Sequence, residues 1–208
     1  MNKYIVELIG TFFLVLTIGC TVIGNGAGPF APLAIGAALM VMIFAGGHIS
    51  GGHYNPAVTL GVWIRGRCSS RDAFFYLLFQ VLGAVLAAMA AMRLKAGAAV
   101  HAMSPDKMPA MLAEFLFTFA VVYVVLNVAT AKGTSGNSFY GLAIGMTVMT
   151  GAFAVGNISG GVFNPAVAVG ISTMGLSSWS NIWIYLVANF AGGLVAGLSF
   201  RALNRGDK

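Results

Sequence analysis

The chain has 208 residues, of which 59% are apolar and only 8% are charged, and its formal net charge is +6 at pH 7. A soluble domain has about a quarter charged residues, so this composition excludes a water-soluble globular protein and indicates one that lives in a bilayer. The positive charge lies mainly in segments beside predicted membrane spans and does not indicate nucleic-acid binding. Cys20 and Cys68 lie too far apart in depth to pair, and no metal-ligand spacing occurs, so no cofactor, metal site or enzyme is predicted.

Six segments are close to the ~20 largely apolar residues that a spanning helix needs. In chain order they are Tyr4–Ile23, Pro32–Gly46, Ala73–Met92, Met108–Ala131, Phe139–Val155 and Trp179–Leu203. The first segment carries Glu7 and has only Lys3 ahead of it, so it is predicted to be a retained span and not a cleaved signal peptide.

The placement of Lys and Arg predicts the orientation. With six spans both termini share one side, and eight basic residues fall on that side against three on the other. The eight are Lys3, Arg65, Arg67, Arg71, Lys132, Arg201, Arg205 and Lys208, and the three are Arg93, Lys95 and Lys107. Because cytoplasmic loops carry the excess of Lys and Arg, both termini are predicted to be cytoplasmic, in a bacterial inner (plasma) membrane.

The two halves of the sequence are copies of one unit. Residues 33–58 align with residues 142–167 at a constant offset of 109, and sixteen of the 26 aligned positions are identical. Each copy ends in Asn-Pro-Ala-Val, and Glu7 and Glu114 lie 48 and 50 residues before the Asn of their own copy. Because each copy contains three spans, the second must enter the membrane upside down. The prediction is a single all-α membrane domain over 1–208, an inverted 3+3 repeat with copies at about 1–93 and 108–208 and a linker at 94–107.

Each Asn-Pro-Ala motif is predicted to begin a short helix. Asn is a favoured N-cap and Pro fits the first helical position, so Asn55–Ile64 and Asn164–Met174 should each form a helix of about ten residues. At 1.5 Å per residue such a helix is ~15 Å long, half a bilayer core. Two re-entrant half-helices entering from opposite faces would then meet with their N-termini at the centre, in addition to the six transmembrane helices.

The predicted meeting point has the chemistry of a pore for neutral solutes. Two helix N-termini, each with about half a positive charge, repel cations. Each Asn oxygen can cap its own helix, which leaves the amide N–H groups free to donate into the cavity. The Gly-rich segments before the motifs would supply carbonyl acceptors, those of Gly51, Gly52, His53, Gly160 and Val162. Such a lumen suits small hydroxylic solutes better than hydrated ions.

The segments Gly-His-Ile-Ser-Gly-Gly-His-Tyr-Asn-Pro-Ala-Val-Thr (47–59) and Ser-Gly-Gly-Val-Phe-Asn-Pro-Ala (159–166) resemble the aquaporin, or major intrinsic protein, family. The resemblance covers essentially the whole chain. It implies six spans and two half-helices in the lipid bilayer, usually as a homotetramer with one pore in each subunit. It also implies passive conduction of water, glycerol or other small neutral solutes. The pore motifs would be Asn55, Pro56, Ala57, Asn164, Pro165 and Ala166.

Family members narrow the pore on its outer side at four positions. The resemblance maps these selectivity-filter positions to Ile35, Ala152, Gly161 and Val167, with Gly151 or Phe153 in place of Ala152 if the alignment slips by one residue. Water-selective and polyol-conducting members both have an Arg where this chain has Val167. Its absence removes five fixed donors and a permanent positive charge, so we expect a wide, apolar constriction. Candidate solutes are glycerol, urea, ammonia and neutral metalloid acids such as arsenous acid (arsenite). The metalloid acids are included because some bacterial members with this Val resemble metalloid-handling channels.

Two alternatives remain open at this point. Glu7 and Glu114 are interpreted as structural acceptors for backbone N–H groups of the re-entrant loops, as the family suggests, but buried carboxylates could instead couple protons in a secondary active transporter. A side chain of the outer loop, His101, Arg93 or Lys95, could also refill the filter and restore a water-selective channel. His48 and His53 are interpreted as bracing the first re-entrant loop or supplying a carbonyl, and not as metal ligands.

Overall fold

The computed structural model describes residues 1–207, and its regular secondary structure is helical apart from one isolated bridge between Met103 and Ser177. The eight α-helices are α1 (Asn2–Val22), α2 (Ala31–Ser50), α3 (Pro56–Ile64), α4 (Ser70–Leu94), α5 (Lys107–Val125), α6 (Tyr140–Ser159), α7 (Pro165–Thr173) and α8 (Ile182–Leu203). A π-helical turn, Leu126–Thr130, follows α5. Short 3₁₀ turns lie at Ile23–Asn25, Gly28–Phe30, Lys132–Thr134 and Trp179–Asn181.

Six of these helices are long and apolar enough to cross a membrane: α1, α2, α4, α5, α6 and α8. The mean hydropathy of their most apolar windows is 1.5 to 2.2. Large apolar side chains such as Phe13, Leu78, Leu116 and Leu198 remain exposed on their outer faces, where the hydrocarbon of a bilayer would cover them. The all-α prediction of six spans and two half-helices is confirmed, and the chain is an integral, multi-pass membrane protein.

The spans preceding the two motifs extend further than the sequence indicated. α2 and α6 each run four residues past their predicted ends, to Ser50 and Ser159, because the helix accommodates the glycines in this stretch. Both helices end where Gly51 and Gly160 adopt left-handed φ values of 90° and 95°, the usual role of glycine after a helix. Only four irregular residues therefore precede each capping Asn, fewer than the Gly-rich sequence suggested.

The second half of the fold repeats the first, and the two halves interlock. α1 packs against α4 as α5 packs against α8, and α2 crosses α6 at the centre. Each half-helix packs against the last span of the other copy, α3 against α8 and α7 against α4. The two copies therefore share one helical bundle.

Glycines allow the closest helix approaches. A Cβ on Gly36 would lie 2.7 Å from the carbonyl oxygen of Gly145, and a Cβ on Gly145 would lie 2.5 Å from that of Gly36. The crossings of α1 with α4 and of α5 with α8 also pack a glycine closely against a backbone carbonyl. Gly83 faces the Leu8 carbonyl, and Gly192 faces the Phe115 carbonyl. Lipid tails are as apolar as the side chains between helices, so this close backbone packing is a main source of helix association in a membrane.

Replacing Gly145 by Ala should disrupt the α2–α6 crossing, because the new Cβ would meet backbone atoms that cannot move independently. We expect a clear loss of monodisperse protein in detergent and a lower Tm. The matched control is Gly156→Ala in the same helix, where a Cβ has no neighbour within 4 Å and Ala has the higher helix propensity. Equal Tm values for the two variants would contradict the packing role of Gly145.

Candidate functional site

The two motifs begin their helices as the local chemistry predicts. Asn55 and Asn164 have extended backbones, with φ of −157° and −158°, and each is the N-cap of its half-helix. The Asn55 Oδ1 accepts the Ala57 N–H at 2.8 Å, and the Asn164 Oδ1 accepts the Ala166 N–H at 2.9 Å. The prolines that follow occupy the first helical position, where no N–H is needed.

The Asn amides are less free than the sequence analysis expected. The Asn55 Nδ2 donates to the Phe163 carbonyl at 2.8 Å, and the Asn164 Nδ2 donates to the Tyr54 carbonyl at 2.9 Å. Each amide therefore ties its own half-helix to the loop of the other copy. An amide NH₂ has two hydrogens, so one N–H of each Asn remains for a solute. Sequence reasoning missed these acceptor carbonyls because they belong to the distant copy.

The carboxylate of Glu7 holds the first re-entrant loop. It is fully buried and accepts four hydrogen bonds, from backbone N–H groups at 2.9 Å (His53) and 2.6 Å (Tyr54) and from side chains at 2.7 Å (Ser50) and 2.8 Å (Gln80). These bonds fix a loop whose Tyr54 has a positive φ of 49°, a conformation that costs energy for a non-Gly residue.

Glu114 does the same in the second copy. Its carboxylate is fully buried and accepts the Val162 and Phe163 N–H groups at 2.9 and 2.7 Å and the Ser159 hydroxyl at 2.7 Å. Phe163 also has φ of 49°, the same strained geometry as its counterpart Tyr54. Each carboxylate thus replaces the hydrogen-bond partners that water would supply outside a membrane.

The two loops differ in polarity. In the first copy the His53 Nδ1 lies 3.1 Å from the Thr59 hydroxyl, which also accepts from the Gln80 Nε2 at 3.0 Å and donates to the Asn55 carbonyl at 3.1 Å. With the one Thr59 hydrogen given to the Asn55 carbonyl, the network assigns the His53 proton to Nδ1 and leaves Nε2 as an acceptor. In the second copy the positions of His53 and Thr59 hold Val162 and Ala168, so this polar chain is absent there.

A narrow cavity of about 30 Å³ passes beside both capping residues, enough for about two waters. The re-entrant loops and Asn55 and Asn164 form part of its wall. The rest is apolar: Leu14, Ile18, Ile35, Leu39, Val58, Val121, Val125, Ile144, Val148 and Val167. Sequence reasoning missed most of these, although Ile144 could have been found as the repeat counterpart of Ile35. A lumen with polar groups along one wall and hydrocarbon elsewhere suits solutes that have both polar and apolar groups.

Three of the four predicted filter residues line this cavity: Ile35, Gly161 and Val167. The fourth, Ala152, packs behind Gly161, with its Cα 3.1 Å from the position of a Gly161 Cβ. A slip of the alignment to Phe153 would select a side chain that is 56% exposed on the outer face of the bundle. Ala152 thus lies behind Gly161 and is not among the residues that line the cavity, contrary to the sequence mapping.

The outer loop reaches the second re-entrant loop through Met103, a residue that the sequence did not single out. The Met103 N–H donates to the Leu176 carbonyl at 2.9 Å, and its sulfur lies 3.5 Å from the position of a Gly160 Cβ. His101, Arg93 and Lys95 are not among the lining residues of the narrow cavity, and the Lys95 Nζ lies instead beside Gly26. In this conformation none of the three supplies a donor in place of Arg.

The narrow cavity continues into a wider vestibule of about 760 Å³ on the side of the chain termini. His48, Gly51, Arg67, Lys132 and residues of the π turn line the vestibule. His53 lines both spaces, so its ring marks the junction between them. Gly51, predicted to supply a carbonyl to the lumen, lies on the vestibule side of this junction.

Glu7→Gln should destabilise the first re-entrant loop. The Ser50 hydroxyl can rotate and the Gln80 amide can turn, but the backbone N–H groups of His53 and Tyr54 are fixed. At least one of them loses its acceptor, at about 1–3 kcal/mol. We expect a lower Tm and reduced water flux. The control is Asp72→Asn, because Asp72 forms a partly exposed ion pair with Lys3 that is worth little. An unchanged Tm for the Glu7 variant would contradict the anchoring role.

Comparisons with known proteins agree with this geometry. A family model described as Major intrinsic protein matches residues 1–200. The chain is 36% identical over 221 residues to Aquaporin NIP1-1 of Oryza sativa subsp. japonica, covering 100% of this chain and 76% of that relative. It is 35% identical over 217 residues to Glycerol uptake facilitator protein-like 6 of Lactiplantibacillus plantarum, covering 100% of both.

Among solved structures, the fold matches the X-ray structure of the aquaglyceroporin from Plasmodium falciparum with a TM-score of 0.75 at 21% identity, covering 95% of both chains. The structural similarity shows the fold. The family model and the similar sequences show the family. The predicted resemblance is confirmed: the chain belongs to the major intrinsic protein family, whose members are channels for water and small solutes and not enzymes.

Proposed function

We propose that this channel passively conducts small uncharged solutes larger or less polar than water, in addition to water, through an apolar filter in which Val167 stands in place of Arg. The solute class comprises glycerol-like polyols, urea, ammonia and neutral metalloid acids. The observation that carries the proposal is the position of Val167, which is 4% exposed and lies in the wall of the narrow cavity with Ile35 and Gly161. In the described part of the chain, the polar side chains lining that cavity are His53, Asn55 and Asn164.

The exclusion of ions follows from the same geometry. The N-termini of α3 and α7 meet on one wall of the cavity, and their partial positive charges repel cations. The apolar residues on the opposite wall cannot replace a hydration shell, so an ion would lose its water without compensation. A neutral solute with hydroxyl or amine groups can accept from the free N–H of Asn55 or Asn164 and place its carbon skeleton or metalloid centre against Val167. This arrangement favours neutral organic solutes and neutral metalloid acids over ions.

The small or apolar side chains at the filter positions support solutes larger or less polar than water. An Arg at position 167 would fill part of the cavity and hold five donors there, whereas Val leaves the space open and apolar. Gly161 adds little volume on the neighbouring wall, and Ala152 lies behind it. Glycerol uptake is named in the relative from Lactiplantibacillus plantarum, which is 35% identical to this chain, and this supports the polyol part of the proposed solute class.

The proposal also includes the orientation of the chain, its oligomeric state and its repeat boundaries. The excess of Lys and Arg on the side of the termini supports cytoplasmic termini in a bacterial plasma membrane. The family resemblance supports a homotetramer with one pore in each subunit. The repeat boundaries at about 1–93 and 108–208 are supported by the one-to-one correspondence of α1–α4 with α5–α8.

Proteoliposomes containing the purified chain should shrink in a hyperosmotic glycerol gradient and then swell again quickly, with a low activation energy. The rates should be the same with and without a proton or sodium gradient, because a channel needs no coupling ion. Empty liposomes and liposomes containing the Glu7→Gln variant are the controls. Solute uptake that requires an ion gradient would refute the channel proposal and favour the secondary transporter.

Val167→Arg should reduce glycerol and arsenous acid flux more than water flux, by about tenfold or more, because the new side chain narrows the cavity and adds a charge. Val167→Leu is the matched control, since it adds volume without donors or charge and should reduce the flux of large solutes only modestly. Stopped-flow measurements on both variants test the assignment. Equal effects of Arg on all solutes, or none, would show that residue 167 does not control selectivity.

A further inference from the structure

A second cavity, outside the pore, lies on the side of the chain termini between the end of α3 and the end of α8. Its volume is about 750 Å³. Four guanidinium groups and one carboxylate line it: Arg65, Arg67, Arg201, Arg205 and Asp207. The proposed conduction function uses none of these side chains except Arg67, which also reaches the vestibule. This cleft therefore calls for an explanation of its own.

Arg65 forms the floor of the cleft. Its side chain is 3% exposed, its guanidinium carbon lies 4.8 Å from the centre of the Phe200 ring, and its Nη2 pairs with Asp207 at 2.7 Å. Its buried Nε has no hydrogen-bond acceptor within residues 1–207. A buried donor left without an acceptor costs roughly 1–3 kcal/mol, so Asp207 does not fully satisfy the Arg65 guanidinium.

The charges of the cleft are not balanced from within. Asp207 is shared, because its other oxygen accepts the backbone N–H of Lys132 at 2.7 Å. Arg67, Arg201 and Arg205 are exposed and form no ion pair with a carboxylate in the described residues. One carboxylate therefore faces four permanent positive charges in a space large enough for a further anionic group.

The surroundings of the cleft are those of a membrane surface. Trp63 and Leu203 are the sequence neighbours of the lining residues Ile64 and Asn204, and 45% and 69% of their surfaces are exposed. The Trp63 Nε1 donates to the Ser70 hydroxyl at 3.0 Å, which leaves its ring on the outer surface in the manner of Trp at a lipid headgroup boundary. A lipid whose anionic headgroup enters the cleft could therefore place its acyl chains along the exposed apolar surface of α8.

We infer that this cleft binds the phosphate group of an anionic phospholipid, with Arg201 and Arg205 holding the phosphate oxygens and Arg65 forming the floor. Guanidinium groups bind phosphate through paired, charge-assisted hydrogen bonds. Anionic headgroups are attracted to basic clusters next to spanning helices. Free phosphate has the same chemistry but gains nothing from the apolar surface at Trp63 and Leu203, so the lipid should bind more tightly.

The test is titration calorimetry on the full chain in detergent, with dioctanoylphosphatidylglycerol, dioctanoylphosphatidylcholine and inorganic phosphate as separate probes. The Arg201→Gln/Arg205→Gln variant should weaken binding of the phosphatidylglycerol by about ten- to thirtyfold. Lys3→Gln/Arg71→Gln is the matched control, because it removes two positive charges from the same side but outside the cleft. Water flux of both variants, expected to equal that of the wild type, shows that the channel is folded.

Three results would overturn the inference. Equal weakening by the two double variants would mean general charge attraction and no defined site. Phosphatidylcholine bound as tightly as phosphatidylglycerol would show that the anion is not recognised. Inorganic phosphate bound as tightly as the lipid would assign the cleft to free phosphate and remove the role of the apolar rim.

Discussion

The structure depends on two buried carboxylates that hold two strained loops inside a membrane. Glu7 and Glu114 accept the backbone N–H groups that precede the capping residues. Without these acceptors the irregular segments would have to leave unpaired donors in hydrocarbon, at several kcal/mol for each group. Each carboxylate sits on the first helix of its own copy, so helix packing and loop position are fixed together. Asn55 and Asn164 can then meet at the centre because both loops arrive there already oriented.

The meeting of the two Asn residues joins the halves through reciprocal hydrogen bonds. Each amide donates to the loop carbonyl of the opposite copy, so moving one half-helix would break a bond in the other half. One amide hydrogen of each Asn forms this junction, and the other remains free to bind the solute. The same two residues thus stabilise the fold and line the lumen, and this sharing limits what can replace them. Small residues at the helix crossings, such as Gly36 against Gly145, let the spans approach closely enough for the junction to close.

The two copies have diverged in the groups that they present to the lumen. The first has the polar chain of His53, Thr59 and Gln80, and the second has Val162 and Ala168 in the places of His53 and Thr59. The polar side therefore lies toward the vestibule at the chain termini, and the apolar side, which includes Val167, lies toward the opposite face. A neutral solute crosses from hydrogen-bonding groups to hydrocarbon without meeting a fixed charge in the narrow part. The arginines of the cleft lie outside the narrow part of the pore, and Arg67 also lines the vestibule.

The sequence by itself determined the class of the fold, the repeat and the helix starts. These depend on composition, a constant offset and N-cap chemistry, all of which act over a few residues or a few turns. It also indicated Glu7 and Glu114, because a carboxylate within an apolar span needs a partner. Only the tertiary structure decided which donors those carboxylates accept. It also decided that one hydrogen of each Asn amide bonds to the loop of the other copy, and that Ala152 packs behind Gly161. These depend on contacts between residues more than forty positions apart, or on a side chain's direction, which no local pattern encodes. The cleft around Arg65 likewise exists only because the ends of α3 and α8, distant in sequence, come together in the bundle.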